Sequence, residues 1–409
     1  MLMALGACAG VDTTFDPTPG GAPDDARPDF AERIPGGAGA WFAEPGEDDG
    51  DGDDPDPPNG AELFAADTIH ALSIDLSEPA LASLRTAPTT EVEATLDWRG
   101  EAYTVALRIK GSASLRGIDQ KPSFKLDVHH YDPNQEIDGL ERLTLNNMIQ
   151  DGTLAREHTY YWFAARLGLP APRQGYARVI VNGADYGLYS IIETMDEQLV
   201  KRAFPDDPLG NLYEASGADF TRARNWYTLE ETSGVVPSPD DIDALVDEVT
   251  EATDFHFLMR ERFDDRVLTH LALDMVAGNG DGYVFNHHNY LTYYAPFSDV
   301  WFLLPWGTDQ GFTDMVPPLG TETGPARGQL YLRCWGDAGC AAELRARAGM
   351  VLGIWEAELG DEVERTFALI DAAAQEDPRR EKTYAPNGLR DFVAQRPDFL
   401  RPYLELEGP

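Results

Sequence analysis

The chain is 409 residues long, 43% apolar and 10% aromatic, which is enough for a buried core in one large domain or two ordinary ones. Its formal charge of −39 repels phosphate backbones and anionic headgroups, which argues against nucleic-acid binding and electrostatic adhesion to membranes. It has no apolar run of about 18 residues or more, the length a membrane-crossing helix needs.

The charge is unevenly spread, with 14 acidic and 2 basic side chains in residues 1–60. At the start, Met1-Leu2-Met3-Ala4-Leu5-Gly6-Ala7-Cys8 is apolar and small, and Leu5-Gly6-Ala7-Cys8 resembles a bacterial lipoprotein box. On that reading residues 1–8 are the end of a signal segment and Cys8 is a lipid acceptor; the alternative is an unstructured terminus. Residues 9–60 read as an acidic Pro/Gly-rich linker, because runs such as Asp48-Asp49-Gly50-Asp51-Gly52-Asp53-Asp54 repel themselves and bury nothing. Alternating Asp and Gly imitates a calcium loop, but the spaced ligands ending in a bidentate Glu are missing.

Folded structure is expected over 61–409. Residues 69–76 alternate like a strand, 81–85 suit a short helix, and 92–98 and 103–110 flank Arg99-Gly100 as a hairpin. A polar loop over 112–120 leads to a strand at 123–128. A helix is expected from about Leu154 to Leu167, stopped by Gly168 and Pro170. A second hairpin, 177–181 with 187–193, turns at Asn182-Gly183. Residues 239–280, 341–376 and 388–405 read as mainly helical, with strands at 289–294 and 300–305 between them. Strands first and helices later give an α+β class with two lobes, about 61–200 and 201–409, and ligands favour the cleft between lobes.

Cys334 and Cys340 lie close enough in sequence to close a local disulfide, and one lipid acceptor plus one pair suits an oxidising compartment. Two free buried thiols are the alternative. The paired histidines, His129-His130 and His287-His288, read as structural or surface residues. Adjacent side chains on a strand point to opposite faces and make a poor zinc pair. Gly-x-Ser-x-Gly is absent.

The chemistry-bearing pattern is Asp281, Asn286 five residues on, and a hydrophobic strand leading to Asp309-Gln310-Gly311. This is the spacing by which a protein kinase places its catalytic Asp and its two metal-holding groups; ordinary turns also collect Asp, Asn and Gly. Together with Lys110-Gly111-Ser112-Ala113-Ser114 and Arg116, Ser123-Phe124-Lys125-Leu126, Leu145-Asn146-Asn147 with Asp151 and Arg156, and Asn182-Gly183 through Tyr186-Gly187-Leu188-Tyr189 to Glu193, the chain resembles the spore-coat-protein-H (CotH) kinase family over roughly 65–403. Trp301-Phe302-Leu303-Leu304-Pro305-Trp306 completes the set.

The resemblance implies a two-lobed atypical kinase-like fold, strand-rich then helix-rich, that binds ATP with Mg²⁺ or Mn²⁺ and phosphorylates Ser or Thr on surface proteins. Asp281 is the expected catalytic residue, with Asn286 and Asp309 as metal ligands and Asn289 as the second candidate amide. Lys110, Ser112, Ser114, Arg116 and Lys125 are expected around the phosphates, and a mid-strand lysine such as Lys125 is costly to bury unless an anion meets it. Arg156 or its neighbour Glu157 orients Lys125 or the phosphates, or is a surface charge; Glu193 meets the nucleotide or pairs locally. Family members carry Asp directly after Pro-Trp, where this chain has Gly307. That departure supports an alternative, a catalytically inactive surface module; a metal-dependent phosphotransferase acting on a non-protein surface polymer is another. The expected setting is the bacterial envelope or surface, with membrane contact only through Cys8.

Overall fold

The structure, a computed structural model, describes residues 59–232, 240–313 and 326–404. The expected signal segment 1–8 with Cys8, and all but the last two residues of the linker 9–60, lie outside the described residues.

The first half contains β1 (Ile69–Asp75), α1 (Glu78–Thr86), β2 (Val92–Trp98), β3 (Glu101–Lys110), β4 (Ser123–Asp127), β5 (Arg142–Asn146), α2 (Arg156–Arg166), β6 (Gln174–Val181) and β7 (Ala184–Glu193). Strand β2 shows why these segments extend. Val92, Ala94, Leu96 and Trp98 are buried, and the residues between them face outward. The turns at Arg99-Gly100 (φ 57° and 83°) and Asn182-Gly183 (48° and 77°) supply the two positive φ angles a tight hairpin needs.

The seven strands close into a barrel in the order β1-β2-β3-β4-β5-β7-β6. All neighbours are antiparallel except β6, which runs parallel to β1 and seals the ring from Ile69–Tyr176 to Ile74–Val181. Leu72, Leu96, Leu107, Phe124, Leu145, Val179 and Ile191 share its core. Sequence pattern anticipates a strand-rich region here, but neither β5 nor the closure.

The second half runs α3 (Glu197–Ala203), β8 (Asn211–Ala215), β9 (Tyr227–Thr232), α4 (Asp240–Glu251), α5 (Phe255–Arg262), α6 (Arg266–Ala277), α7 (Tyr283–Asn286), β10 (Tyr290–Ala295), β11 (Val300–Pro305), α8 (Gln329–Gly336), α9 (Ala338–Ile354), α10 (Gly360–Glu376) and α11 (Asn387–Leu404). The expected hairpin β10–β11 is joined by β8 and β9 in a sheet ordered β11-β10-β8-β9. Helices and sheet share a second core that also takes in Tyr160, Tyr161 and Phe163 of α2. Helix α2 therefore precedes two barrel strands in sequence yet packs with the second half.

A return of the chain also ties the halves. The segment after α10 returns to the barrel, where Asp377 forms a buried ion pair with Lys121 at 2.6 Å and Ala385 N–H donates to the Gly152 carbonyl at 2.8 Å. Cys334 and Cys340 are joined in a disulfide between α8 and α9, both fully buried. Among the described residues no helix is long and apolar enough to cross a membrane.

Candidate active site

Asp281 sits between α6 and α7. Helix α6 ends at Gly278 in the left-handed conformation (φ 57°), which turns the chain sharply into Asn279-Gly280-Asp281. Its carboxylate is held from both sides: Asn286 Nδ2 donates to Oδ1 at 2.6 Å and Asn289 Nδ2 to Oδ2 at 3.0 Å. His287 and Asn289 take left-handed φ angles of 51° and 45°, which curl the loop so that both amides reach one Asp. The remaining oxygens of the two amides differ. Asn289 Oδ1 meets His288 Nδ1 at 2.9 Å, while Asn286 makes no second side-chain bond among the described residues. Asn286 is the amide with an oxygen to spare.

Asp309 lies in a single 3₁₀ turn, Thr308–Gln310, directly after β11. Burial, with Asp151 and Asp281 adding repulsion, raises its carboxyl to about 7; Arg156 and Lys110 oppose the shift. Gly307 before it has φ 54°, its N–H takes the Tyr161 hydroxyl as acceptor at 3.0 Å, and its carbonyl accepts from Asn289 Nδ2 at 3.0 Å. A side chain at this position would adopt a strained φ and bring its Cβ to 3.1 Å from the Asn289 carboxamide carbon.

The barrel supplies the cations. Lys110 ends β3 with its ammonium 5.4 Å from the centre of the Trp306 ring. Burial and the neighbouring Lys125 push it below the usual lysine range, against Glu157, Glu214 and Asp309. Lys125, central in β4 opposite Arg108 and Thr144, is lowered by burial and by Arg108, and faces Glu230 and Glu214. The lysine ion pairs among the described residues are Lys121–Asp377 and Lys201–Glu197, so neither Lys110 nor Lys125 has a direct carboxylate partner there.

Helix α2 completes the group. Asp151 accepts from the N–H groups of Thr153, Ala155 and Arg156 and so holds the start of the helix. The Arg156 guanidinium stands 3.5 Å from Asp151. Glu157 is buried, bonded by Asn146 Nδ2 at 2.9 Å and the Tyr161 hydroxyl at 3.2 Å. Burial and Asp309 raise it to about 8, with Lys110 opposing. The basic neighbour of Glu157 is thus Lys110, and the neighbours of Lys125 are Glu214 and Glu230. The sequence pattern leaves Arg156 or Glu157 to orient Lys125 or the phosphates, or to be a surface charge; in the structure Glu157 is buried beside Lys110.

Three expected site residues lie apart from this group. Glu193 binds Arg173 at 2.7 Å and Arg202 at 2.6 Å; burial alone would raise it, but the two guanidiniums outweigh burial and hold it at about 2. Arg116 is committed to Glu381 through Nε at 2.6 Å and Nη2 at 2.8 Å. Ser112 is exposed. Ser114 is half-buried, its carbonyl fixed by Asn147 Nδ2 at 3.1 Å. Glu214 and Glu230 were not foreseen; Glu230 sits where the β8–β9 register shifts, which hides it from a period-2 reading.

Among the described residues no three His, Cys, Asp or Glu side chains gather to hold a metal by themselves. Two carboxylates and a carboxamide, beside cations without carboxylate partners, suit a hard divalent ion that takes its other ligands from phosphate oxygens and water.

A family model described as CotH kinase protein matches residues 107–400, well over half of the chain and inclusive of every residue above. Inner spore coat protein H of Bacillus subtilis (strain 168) is 24% identical over 208 residues, covering 46% of this chain and 54% of that protein. The chain thus spans about half the length of this curated relative. Matched along most of its folded length, the chain belongs to the CotH kinase protein family.

Proposed function

We propose that this chain is a phosphotransferase with a two-lobed kinase-like architecture, moving the γ-phosphoryl group of ATP, with Mg²⁺ or Mn²⁺, to a Ser or Thr hydroxyl of a protein acceptor. The observation that carries this reading is the meeting of four groups from separate parts of the chain: Asp281 with its two amides, Asp309, Lys110 and Glu157. Their chemistry is complementary. Lys110 and Lys125 lack carboxylate partners among the described residues and suit nucleotide phosphates. Asp309 and Asn286 present oxygens to a divalent ion, which when bound would neutralise charge on the β- and γ-phosphates. Asp281, aligned by Asn286 and Asn289, accepts the proton of the attacking hydroxyl. Glu157 faces Lys110 from the start of α2. Ser114 supplies backbone to the phosphate side, and Ser112 and Arg116 close over it only if the Glu381 contact opens.

The setting is proposed as exported and lipid-anchored at Cys8. The Cys334–Cys340 bond favours an oxidising compartment, and the relative is named for a spore coat, a surface structure. One observation favours the second reading, an inactive surface module: Gly307 provides no carboxylate where the family carries one.

The test is phosphate incorporation from γ-labelled ATP by residues 60–409 with Mn²⁺ or Mg²⁺, beside Asp281→Ala and Asp309→Ala. Each substitution is expected to lower transfer by about 10³-fold. No label in the parent, with no ATP-induced rise in melting temperature, would favour the module.

A further inference from the structure

Helix α2 reaches the site at more points than Glu157. Tyr160, one residue before Tyr161 and fully buried, donates its hydroxyl to Asp274 Oδ1 at 2.7 Å. Asp274 is a lone carboxylate in the apolar helix α6, itself fully buried, and its other bonds go to the Asp281 loop. Asn279 Nδ2 donates to its Oδ1 at 2.8 Å, Val284 N–H to its Oδ2 at 3.1 Å, and Asn279 N–H to its carbonyl at 3.0 Å. A Cβ at Gly282 would run into Asp274 and Asn279, so the loop is packed directly on this carboxylate. The ring of Tyr160 meanwhile lies under the chain that follows Asp309, 6.0 Å from the Phe312 ring centre, and a Cβ on Gly311 would come within 3.3 Å of it. One turn of α2 therefore contacts the Asp281 loop through Asp274, the Asp309 segment through the Tyr160 ring, and Gly307 through the Tyr161 hydroxyl.

We propose that Tyr160 and Asp274 are positioning residues for phosphoryl transfer: through their shared hydrogen bond, α2 sets the Asn279–Asn286 loop so that Asp281 meets the acceptor hydroxyl. The inference rests on the phosphotransferase reading for its consequence but not for its geometry. A buried carboxyl group that loses one of its donors is left with an unpaired lone pair, so the loop that supplies its remaining donors repacks around it. Burial and Asp274 push the Tyr160 hydroxyl well above the usual tyrosine range, which keeps it a donor at any working pH.

The test uses residues 60–409 and two variants that each delete one buried tyrosine hydroxyl. Tyr160→Phe removes the bond to Asp274. Tyr293→Phe removes the bond donated to the Asp207 carbonyl and the one accepted from the Gly210 N–H, at the far end of β10. With γ-labelled ATP and Mn²⁺, Tyr160→Phe is expected to lower kcat about tenfold or more, with KM for ATP changed less than about twofold. Tyr293→Phe is expected to leave kcat unchanged even if it lowers Tm as much. Amide exchange at 279–286 should be faster in Tyr160→Phe than in Tyr293→Phe. Equal kcat and equal exchange in the two variants would overturn the proposal and leave Tyr160 as core packing. If the parent transfers no phosphate, the phosphotransferase reading fails and amide exchange alone decides the positioning role.

Discussion

The two sides of the site differ in what they contribute. The barrel brings cations, Lys110 from β3 and Lys125 from β4, on strands that start and end within its hydrogen-bonded ring. The second half brings acceptors and amides, Asp281, Asn286, Asn289 and Asp309, on loops between α6, α7, β10 and β11. Helix α2 and the turn before it add Asp151, Arg156 and Glu157 to the same group, so a nucleotide with a divalent ion, as proposed, would draw on both sides. Lys110 and Lys125 are both lowered chiefly by burial, and an anion bound beside them would offset that desolvation.

The sharpest way to break this comparison is to treat the two lysines as equivalents. Lys110 faces Glu157 and Asp309, whereas Lys125 faces Arg108, Glu230 and Glu214. Lys110→Met is therefore expected to lower kcat/KM for ATP by about 10³-fold and Lys125→Met by about tenfold, measured by phosphate incorporation. Equal losses, or the reverse order, would return the phosphate role to Lys125. A second, smaller effect separates site from scaffold. Glu193→Gln leaves Arg173 and Arg202 without their shared carboxylate, which should cost about 3 kcal/mol in urea unfolding. Its KM for ATP should stay at the parent value, and a rise beyond about tenfold would place Glu193 at the nucleotide.

The sequence made the groups of the second half legible because they lie close together along the chain. Asp281, Asn286 and Asn289 span one loop, and Asp309 follows one hairpin, so residue type and spacing suffice. The barrel side was only partly legible. Lys110 and Lys125 are both strand lysines in apolar surroundings, and alternation says which face each takes, not which carboxylate lies opposite. That depends on closure of the ring by β6 against β1 and on the packing of α2 with the second half. Both are contacts between residues far apart in sequence. Of the two roles open to Glu193 from sequence, pairing is the one the structure displays, with partners 20 residues before and 9 residues after it. Asp274 offered a local signal that went unread: a single carboxylate in Leu271-Ala272-Leu273-Asp274-Met275-Val276-Ala277 is too costly to bury without donors.

The smallest expected effect tests whether Asp309 is held ready for a cation. Its folded-state carboxyl titrates at about 7 and the free side chain near 3.8, so between these values the folded protein keeps a proton that the unfolded chain has lost. Stability contributed by the protonated form is then present at low pH and lost as pH rises from about 4 to about 7, opposite to the usual salt-bridged carboxylate. Asp309→Asn has no proton to lose. In the absence of nucleotide and metal, the variant and parent should melt together near pH 4. Above pH 7 the variant should gain at least about 1 kcal/mol, roughly 2 °C in Tm. Mg²⁺ with ATP should reverse the order, because the ion replaces the proton on Asp309 in the parent and finds no carboxylate in the variant. A difference in Tm that does not change with pH would mean Asp309 is ionised throughout, and the repulsion among Asp151, Asp281 and Asp309 would then be relieved by some other means than an awaited cation.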